Sequence, residues 1–108
     1  MKARILVVDD EEIVVRSCLR ILGDDGEYDV EAVQDGMEAL RKIEERHFDA
    51  LILDIMMPKM DGMEVLRRVK ETHPDIDVIM VTGLSQIETA VRSMKLGAFD
   101  YLSKPFDP

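Results

Sequence analysis

Short apolar runs that end in polar residues recur four times along this chain. ILVV runs into Asp9 and Asp10, LIL into Asp54, VIMV into Thr82, and YLS into Lys104. Continuous apolar runs bounded by turn residues are typical of strands buried on both faces, as in parallel sheets that helices cover. Because the carboxyl ends of parallel strands share one edge of a sheet, we expect these five polar residues to meet there.

Helical patterns separate the runs, so strand and helix alternate along the chain. Tyr28–Val33 alternates polar and apolar residues and predicts an edge strand. Apolar residues at helical spacing predict that two core-facing stripes are formed by Met37, Leu40 and Ile43, and by Ile87, Ala90, Val91, Met94 and Ala98. Strict β-α alternation requires right-handed crossovers, which place helices on both faces of a parallel sheet. We therefore predict a doubly wound α/β fold with five parallel strands.

The length of 108 residues fits one domain and is too short for two. We assign residues 1–108 to a single domain whose sequence stops directly after the fifth strand. A final helix, expected to cover the face beside the first and last strands, is absent from this chain. We expect that the domain continues beyond this sequence or that another chain covers that face.

The composition excludes several partners. A net charge of -9 with 34% charged residues describes an acidic surface, which repels nucleic acid phosphates and anionic lipids. We therefore expect no direct nucleic acid contact and no membrane contact, since no apolar run approaches the roughly 20 residues of a membrane helix. The single cysteine, Cys18, rules out an internal disulfide and favours a reducing compartment, so we expect the cytoplasm.

Three carboxylates at one sheet edge, those of Asp9, Asp10 and Asp54, would repel one another unless a cation or a raised pKa relieved the repulsion. Oxygen ligands with no nearby histidine or cysteine suit Mg²⁺. Asp9 and Asp10 are therefore predicted to anchor a metal ion. Their alternative role is to cap the first helix, which needs no ligand. Two acids after a buried strand, with Asp54 opposite, make that alternative the weaker one.

Beside a metal, the carboxylate of Asp54 can attack an activated phosphoryl group and form an acyl phosphate. Thr82 would supply a hydrogen-bond donor and Lys104 a fixed positive charge for the transferred group. Taken singly, Thr82 could cap a turn and Lys104 could be a solvated lysine. The phosphoryl interpretation is favoured because all these residues follow apolar runs.

Four motifs in order now carry a family resemblance: VVDDE (7–11), LDIMMPKMDG (53–62), VTG (81–83) and GAFDYLSKPF (97–106). Along nearly its whole length the chain resembles the CheY-like receiver domains of two-component response regulators. Within that family, its motifs most resemble those in receivers of sigma-54-dependent, NtrC-like activators. The resemblance implies a flavodoxin-like sheet with strand order 2-1-3-4-5.

The resemblance also implies roles at matching positions. Asp54 matches the phosphoacceptor, which is charged by a sensor histidine kinase or a phosphotransfer protein. Asp10 matches the direct Mg²⁺ ligand, Asp9 the acid that acts through water, and the Met56 backbone carbonyl the remaining protein ligand beside Asp54. Lys104 matches the lysine that pairs with the phosphoryl group.

Switching and structural roles follow in the same way. Thr82 matches the switch hydroxyl and Tyr101 the aromatic switch position, while Pro105 matches a proline usually preceded by a cis peptide. Gly83 leaves the phosphoryl site open, and Gly62 is expected to adopt a backbone conformation that other residues resist.

Residues two beyond the phosphoacceptor and two beyond the switch threonine tune water access in this family. Here they are Met56 and Leu84, which cannot orient water, so we predict slow autodephosphorylation. The expected output surface on the fourth helix and fifth strand includes Ile87, Arg92, Lys95 and Tyr101.

Two other functions remain open at this stage. One is a degenerate receiver that binds proteins without phosphorylation, disfavoured because every chemical position is filled. The other is a phosphatase with an aspartyl nucleophile, disfavoured because Met56 stands where such an enzyme usually has a second aspartate. We expect that the protein is not a conventional enzyme. The resemblance fits an effector domain beyond residue 108. It leaves open whether the protein forms a homodimer, which kinase is its partner and whether its output is transcription.

Overall fold

The computed structural model describes residues 2–23, 26–83 and 87–104, in which strand and helix alternate. The strands are β1 (Ala3–Val8), β2 (Tyr28–Val33), β3 (Ala50–Asp54), β4 (Asp77–Thr82) and β5 (Asp100–Ser103). The helices are α1 (Glu12–Gly23), α2 (Gly36–Glu45), α3 (Gly62–Thr72) and α4 (Ile87–Lys95). The strands form one parallel sheet in the order β2-β1-β3-β4-β5, which confirms the predicted fold and strand order.

The register of the sheet brings the strand ends to one edge. Val8 is paired with Leu53 across β1 and β3, and Asp54 is paired with Val81 across β3 and β4. The carboxyl ends of β1, β3 and β4 therefore lie at the same edge of the sheet, with β3 between the other two. As predicted, β2 is an edge strand, and it pairs with β1 alone within the described residues.

Apolar side chains from alternate strand positions build a core on each face of the sheet. The larger cluster contains Leu6 and Val8 of β1 and packs against α2, α3 and α4. The smaller cluster contains Val7 of β1 with Val15 and Cys18 of α1. The helices thus cover both faces, as the alternation of elements predicted. None of the described helices has the length and apolar character to cross a bilayer.

The orientation of α2 differs from the predicted stripe. Its side chain at Met37 is exposed, whereas Ala39 and Ile43 face the core. The helix begins after Asp35, whose side chain accepts a hydrogen bond from the Glu38 amide as an N-cap. The prediction for Met37 was therefore wrong, because the buried face of α2 is the one with Gly36, which lies close against Val65 of α3, and with the small Ala39.

The stripe predicted for α4 is also only partly correct. Ala90 is buried, but Val91 and Met94 are exposed, and the polar Ser93 faces the core in their place. The Ser93 hydroxyl donates a hydrogen bond to the Ala90 carbonyl, which satisfies its only strong donor. Because that bond lowers the cost of burying a hydroxyl, apolar periodicity alone misjudged which face turns inward.

The structure requires a glycine at position 62 for a reason that differs from the predicted one. A left-handed backbone (φ 71°) occurs at Lys59, and Gly62 has none. Gly62 is needed for space: a Cβ there would lie 2.0 Å from the backbone oxygen of Asp54. Its amide donates to the Ile55 carbonyl at 2.7 Å, so the start of α3 lies directly against the end of β3.

We expect Gly62→Ala to destabilise the protein by about 1–3 kcal/mol, because the added methyl has to displace backbone at the end of β3. Gly23→Ala is the matched control, since a Cβ at Gly23 meets nothing within 4 Å. Urea unfolding of both variants measures the difference. Equal stabilities for the two alanine variants would contradict the steric role of Gly62.

Candidate functional site

Lys104 brings together three carboxylates at the carboxyl edge of the sheet. Its Nζ lies 2.5 Å from Glu11 Oε1, 3.3 Å from Asp9 Oδ2 and 3.4 Å from Asp54 Oδ1. The convergence of Asp9, Asp54 and Lys104 expected from the apolar runs is present. Asp10 is exposed and is not among the carboxylates that contact Lys104.

The backbone fixes the position of Lys104. Its amide donates to the Thr82 carbonyl at 2.7 Å, which continues the pairing of β4 with β5 beyond Ser103. The Lys104 side chain is only 18% exposed. Burial opposes its charged form, but the hydrogen bond that Lys104 donates to Glu11 and the charges of Asp54 and Asp9 raise the pKa of Lys104 overall. The ammonium is therefore a permanent positive charge at physiological pH.

The two oxygens of Asp9 have different surroundings. Oδ1 accepts a hydrogen bond from the Glu11 amide at 2.9 Å, a local turn contact before α1 and not an N-cap of that helix, which begins at Glu12. Oδ2 is buried and accepts no hydrogen bond, although the Lys104 Nζ lies 3.3 Å away. Burial raises the pKa of Asp9, while the Glu11 amide and Lys104 lower it in part. One oxygen thus shapes the turn and the other is left available for a ligand.

Asp54 lies at the end of β3 with its side chain 3% exposed. Burial, and next the charge of Asp9, raises the pKa of Asp54 to about 7, and Lys104 offsets part of that rise. The Met56 amide also donates to this carboxylate. Asp54 is therefore a carboxyl group whose charged form needs a further positive partner.

The donor set suits a divalent cation. One carboxylate oxygen from each of Asp9, Glu11 and Asp54 lies within 4.8 Å of the others. These hard oxygen donors, together with the orphaned Oδ2 of Asp9, fit Mg²⁺. The ligand roles of Asp10 and of the Met56 carbonyl stay predictions.

The switch residues lie close to this edge. Thr82 is fully buried, and its hydroxyl donates to the Gly83 carbonyl at 2.9 Å. Tyr101 is half-buried and packs against the larger core cluster. The predictions for Pro105 and Leu84 lie outside the described residues.

Glu11 is the site residue that sequence reasoning missed. It falls within the motif VVDDE, but no chemistry was assigned to it. Its contact with Lys104 joins residues 93 positions apart. A third consecutive acid after a buried strand was the available signal, since each added carboxylate strengthens the demand for a cation at that edge.

We expect Asp54→Asn to gain stability over the wild type as the pH rises. Well below pH 3.8 the Asp54 carboxyl is neutral in both the folded and the unfolded chain. Between its unfolded pKa of 3.8 and its folded pKa of about 7, the unfolded chain releases the proton first. Stability that Asp54 contributes at low pH is therefore lost as the pH rises through 7.

Urea unfolding of metal-free wild type and Asp54→Asn at pH 5 and pH 8 measures this effect. The advantage of the neutral side chain should grow by roughly 2 kcal/mol over that range. Titrations of groups remote from the site cancel in the comparison, whereas Asp9 and Lys104 interact with the Asp54 charge and belong to the pH-dependent difference that is measured. A difference that does not change with pH would show that the pKa of Asp54 is not raised.

Known proteins of similar sequence and shape include response regulators and receiver domains. The chain is 44% identical over 106 residues to the response regulator MprA of Mycobacterium sp. (strain KMS), a match that covers 98% of the chain and 46% of MprA. The chain thus spans about half the length of the curated relatives it matches.

Two solved structures show the same agreement. NtrX from Brucella abortus superposes with a TM-score of 0.93 at 38% identity, covering 99% of the chain and 24% of NtrX. A CheY-like receiver domain protein from Methanospirillum hungatei gives a TM-score of 0.91 at 38% identity, covering 100% of the chain and 86% of that protein.

The sequence profile of the response regulator receiver domain matches residues 5–108, which is nearly the whole chain. The strand order, the position of the carboxylates and the lysine, and the motifs agree with that match. The chain belongs to the response regulator receiver domain family.

Proposed function

We propose that this domain is a phosphoacceptor switch of two-component signalling, in which Asp54 accepts a phosphoryl group. The observation that carries the proposal is the buried carboxylate of Asp54 at 3.4 Å from the Lys104 ammonium, beside an Asp9 oxygen that has no hydrogen bond. A carboxylate that is poorly solvated and close to a fixed positive charge is a suitable nucleophile for phosphorus.

The phosphoryl group would come from a phosphohistidine of the partner whose other ring nitrogen carries a proton. An oxygen of the Asp54 carboxylate attacks phosphorus, the phosphorus–nitrogen bond breaks, and the protonated ring takes the bonding electron pair and leaves as neutral imidazole. Mg²⁺, when bound at the carboxylates, would neutralise charge on the phosphoryl oxygens. Lys104 orients the same oxygens through its ammonium, and this interaction strengthens as the acyl phosphate forms.

The switch would then act through Thr82. Its hydroxyl donates to Gly83 in the resting domain and would turn to the phosphoryl oxygens once Asp54 is modified. Tyr101 is half-buried and pairs with Met80, two residues before Thr82 on β4, so it is close enough to respond. A redistribution between two existing arrangements of these residues is sufficient for signalling.

The output surface would lie on α4 and β5. Arg92 and Lys95 line a groove of about 600 Å³ that Met56 also lines, so this surface adjoins the phosphoacceptor loop. The exposed side chains of Ile87 and the neighbouring Val91 add apolar area for a partner. Charge and apolar contact together suit a protein partner better than a nucleic acid.

The proposed partners follow from the family. A sensor histidine kinase or a phosphotransfer protein would donate the phosphoryl group, and an effector segment would follow residue 108. The greater length of MprA and NtrX supports such a segment. The cytoplasmic location, an NtrC-like context and a homodimer belong to this proposal as well.

Incubation with acetyl phosphate and Mg²⁺, followed by intact mass, tests the function. We expect the wild type to gain one phosphoryl group and Asp54→Asn to gain none, because the amide is not a nucleophile. No gain in the wild type would favour a degenerate binding module. Steady release of inorganic phosphate without a stable adduct would favour an aspartyl phosphatase.

We expect the phosphorylated domain to lose its phosphoryl group slowly, because Met56 has no polar group that can orient an attacking water. Met56 is 60% exposed, so Met56→Asn should fold normally and shorten the lifetime severalfold. Phosphoprotein is freed of acetyl phosphate, and its decay is followed by intact mass in excess Mg²⁺. A wild-type half-life of seconds would contradict the prediction.

A further inference from the structure

Glu11 makes the shortest contact of Lys104 and is the most exposed of its partners. The distance from Nζ to Glu11 Oε1 is 2.5 Å, against 3.3 Å to Asp9 and 3.4 Å to Asp54. The Glu11 side chain is 54% exposed, whereas those of Asp9 and Asp54 are 2% and 3% exposed. Lys104 is thus held by two buried acids and one exposed acid.

The backbone of Glu11 is fixed although its side chain is exposed. Its amide donates to Asp9, and its carbonyl accepts hydrogen bonds from Val14 and Val15 at the start of α1. The side chain can therefore release Lys104 without disturbing the turn or the helix. Asp9 has no such freedom, because it is buried and its other oxygen is occupied by the Glu11 amide.

A phosphoryl group on Asp54 adds roughly -1.5 to -2 charge and three acceptor oxygens. Lys104 has one ammonium group for these oxygens and for Glu11. We propose that Glu11 competes with the phosphoryl group for Lys104, so that Glu11 is a positioning residue that slows phosphorylation of Asp54. This inference rests on the proposed function.

The competition predicts the direction and the size of the change in phosphorylation rate. An exposed ion pair is weak, so releasing Lys104 from Glu11 should change the rate by at most about fivefold. Removing the Glu11 charge also reduces the general repulsion of an anionic phosphodonor, and that effect has to be measured separately. Glu12 provides the control, because it is one residue further on, carries the same charge and pairs with Arg16.

The test compares Glu11→Gln with Glu12→Gln in the wild-type and Lys104→Met backgrounds. Phosphorylation by acetyl phosphate is followed by intact mass at saturating Mg²⁺. We expect Glu11→Gln to be up to about fivefold faster than wild type and faster than Glu12→Gln. In the Lys104→Met background, where phosphorylation is slow, the two glutamine variants should have equal rates.

Two kinetic outcomes would overturn the proposal. If Glu11→Gln is no faster than Glu12→Gln, Glu11 does not restrain Lys104. If its advantage persists in Lys104→Met, Glu11 acts on the donor or the metal and not through the lysine. A wild type that takes up no phosphoryl group would instead refute the proposed function, a result distinct from both.

A second measurement needs neither metal nor phosphodonor. Urea midpoints in EDTA for wild type, Glu11→Gln, Lys104→Met and the double variant form a double-mutant cycle. We expect Glu11→Gln to lower the midpoint when Lys104 is present and no longer to lower it in Lys104→Met, where the Glu11 charge only repels Asp9. The shift caused by Glu12→Gln should be the same in both backgrounds. Equal shifts for Glu11→Gln in the two backgrounds would show that the contact is not formed and would overturn the proposal.

Discussion

The contact of one lysine ammonium with two buried carboxylates is the interaction on which the site depends. Asp9 and Asp54 are almost fully buried at the ends of neighbouring parallel strands, and Lys104 is the cation that the chain places between them. Burial of unpaired charge is costly, and two close carboxylates add mutual repulsion. The domain therefore has an acidic site in which an added cation would relieve the remaining repulsion, as the proposed metal-assisted phosphoryl transfer requires.

A rigid surrounding structure holds the two buried carboxylates close together despite their repulsion. The carboxylates follow apolar strands packed on both faces, and the Lys104 amide is bonded to the carbonyl of Thr82. Gly62 lets α3 start against the backbone of Asp54, so the phosphoacceptor loop is closely packed. Such support holds reacting groups in position before a ligand binds, which lowers the cost of reorganisation during transfer.

Much of this arrangement was predictable, because parallel strands bring every strand end to the same edge. That rule placed Asp9, Asp54 and Lys104 together without any knowledge of side-chain direction. It could not select among adjacent acids, since the direction of a side chain beyond a strand end depends on the turn. Glu11 was missed for that reason, and Met37 was misplaced because a helix can rotate to bring a smaller neighbour against the sheet.

Burial distinguishes the acids of the site that keep their positions from the acid that can change its partner. A buried charge that loses its partner is penalised heavily, so Asp9 and Asp54 keep their positions. An exposed carboxylate regains water when it lets go, which makes Glu11 the acid that can change partners at low cost. The Thr82 hydroxyl is buried, and its proposed switching has a different basis: rotation about one bond would move its donor from the Gly83 carbonyl to a phosphoryl oxygen. In the proposed switch, these two groups would allow one added phosphoryl group to shift the population of arrangements without altering the fold.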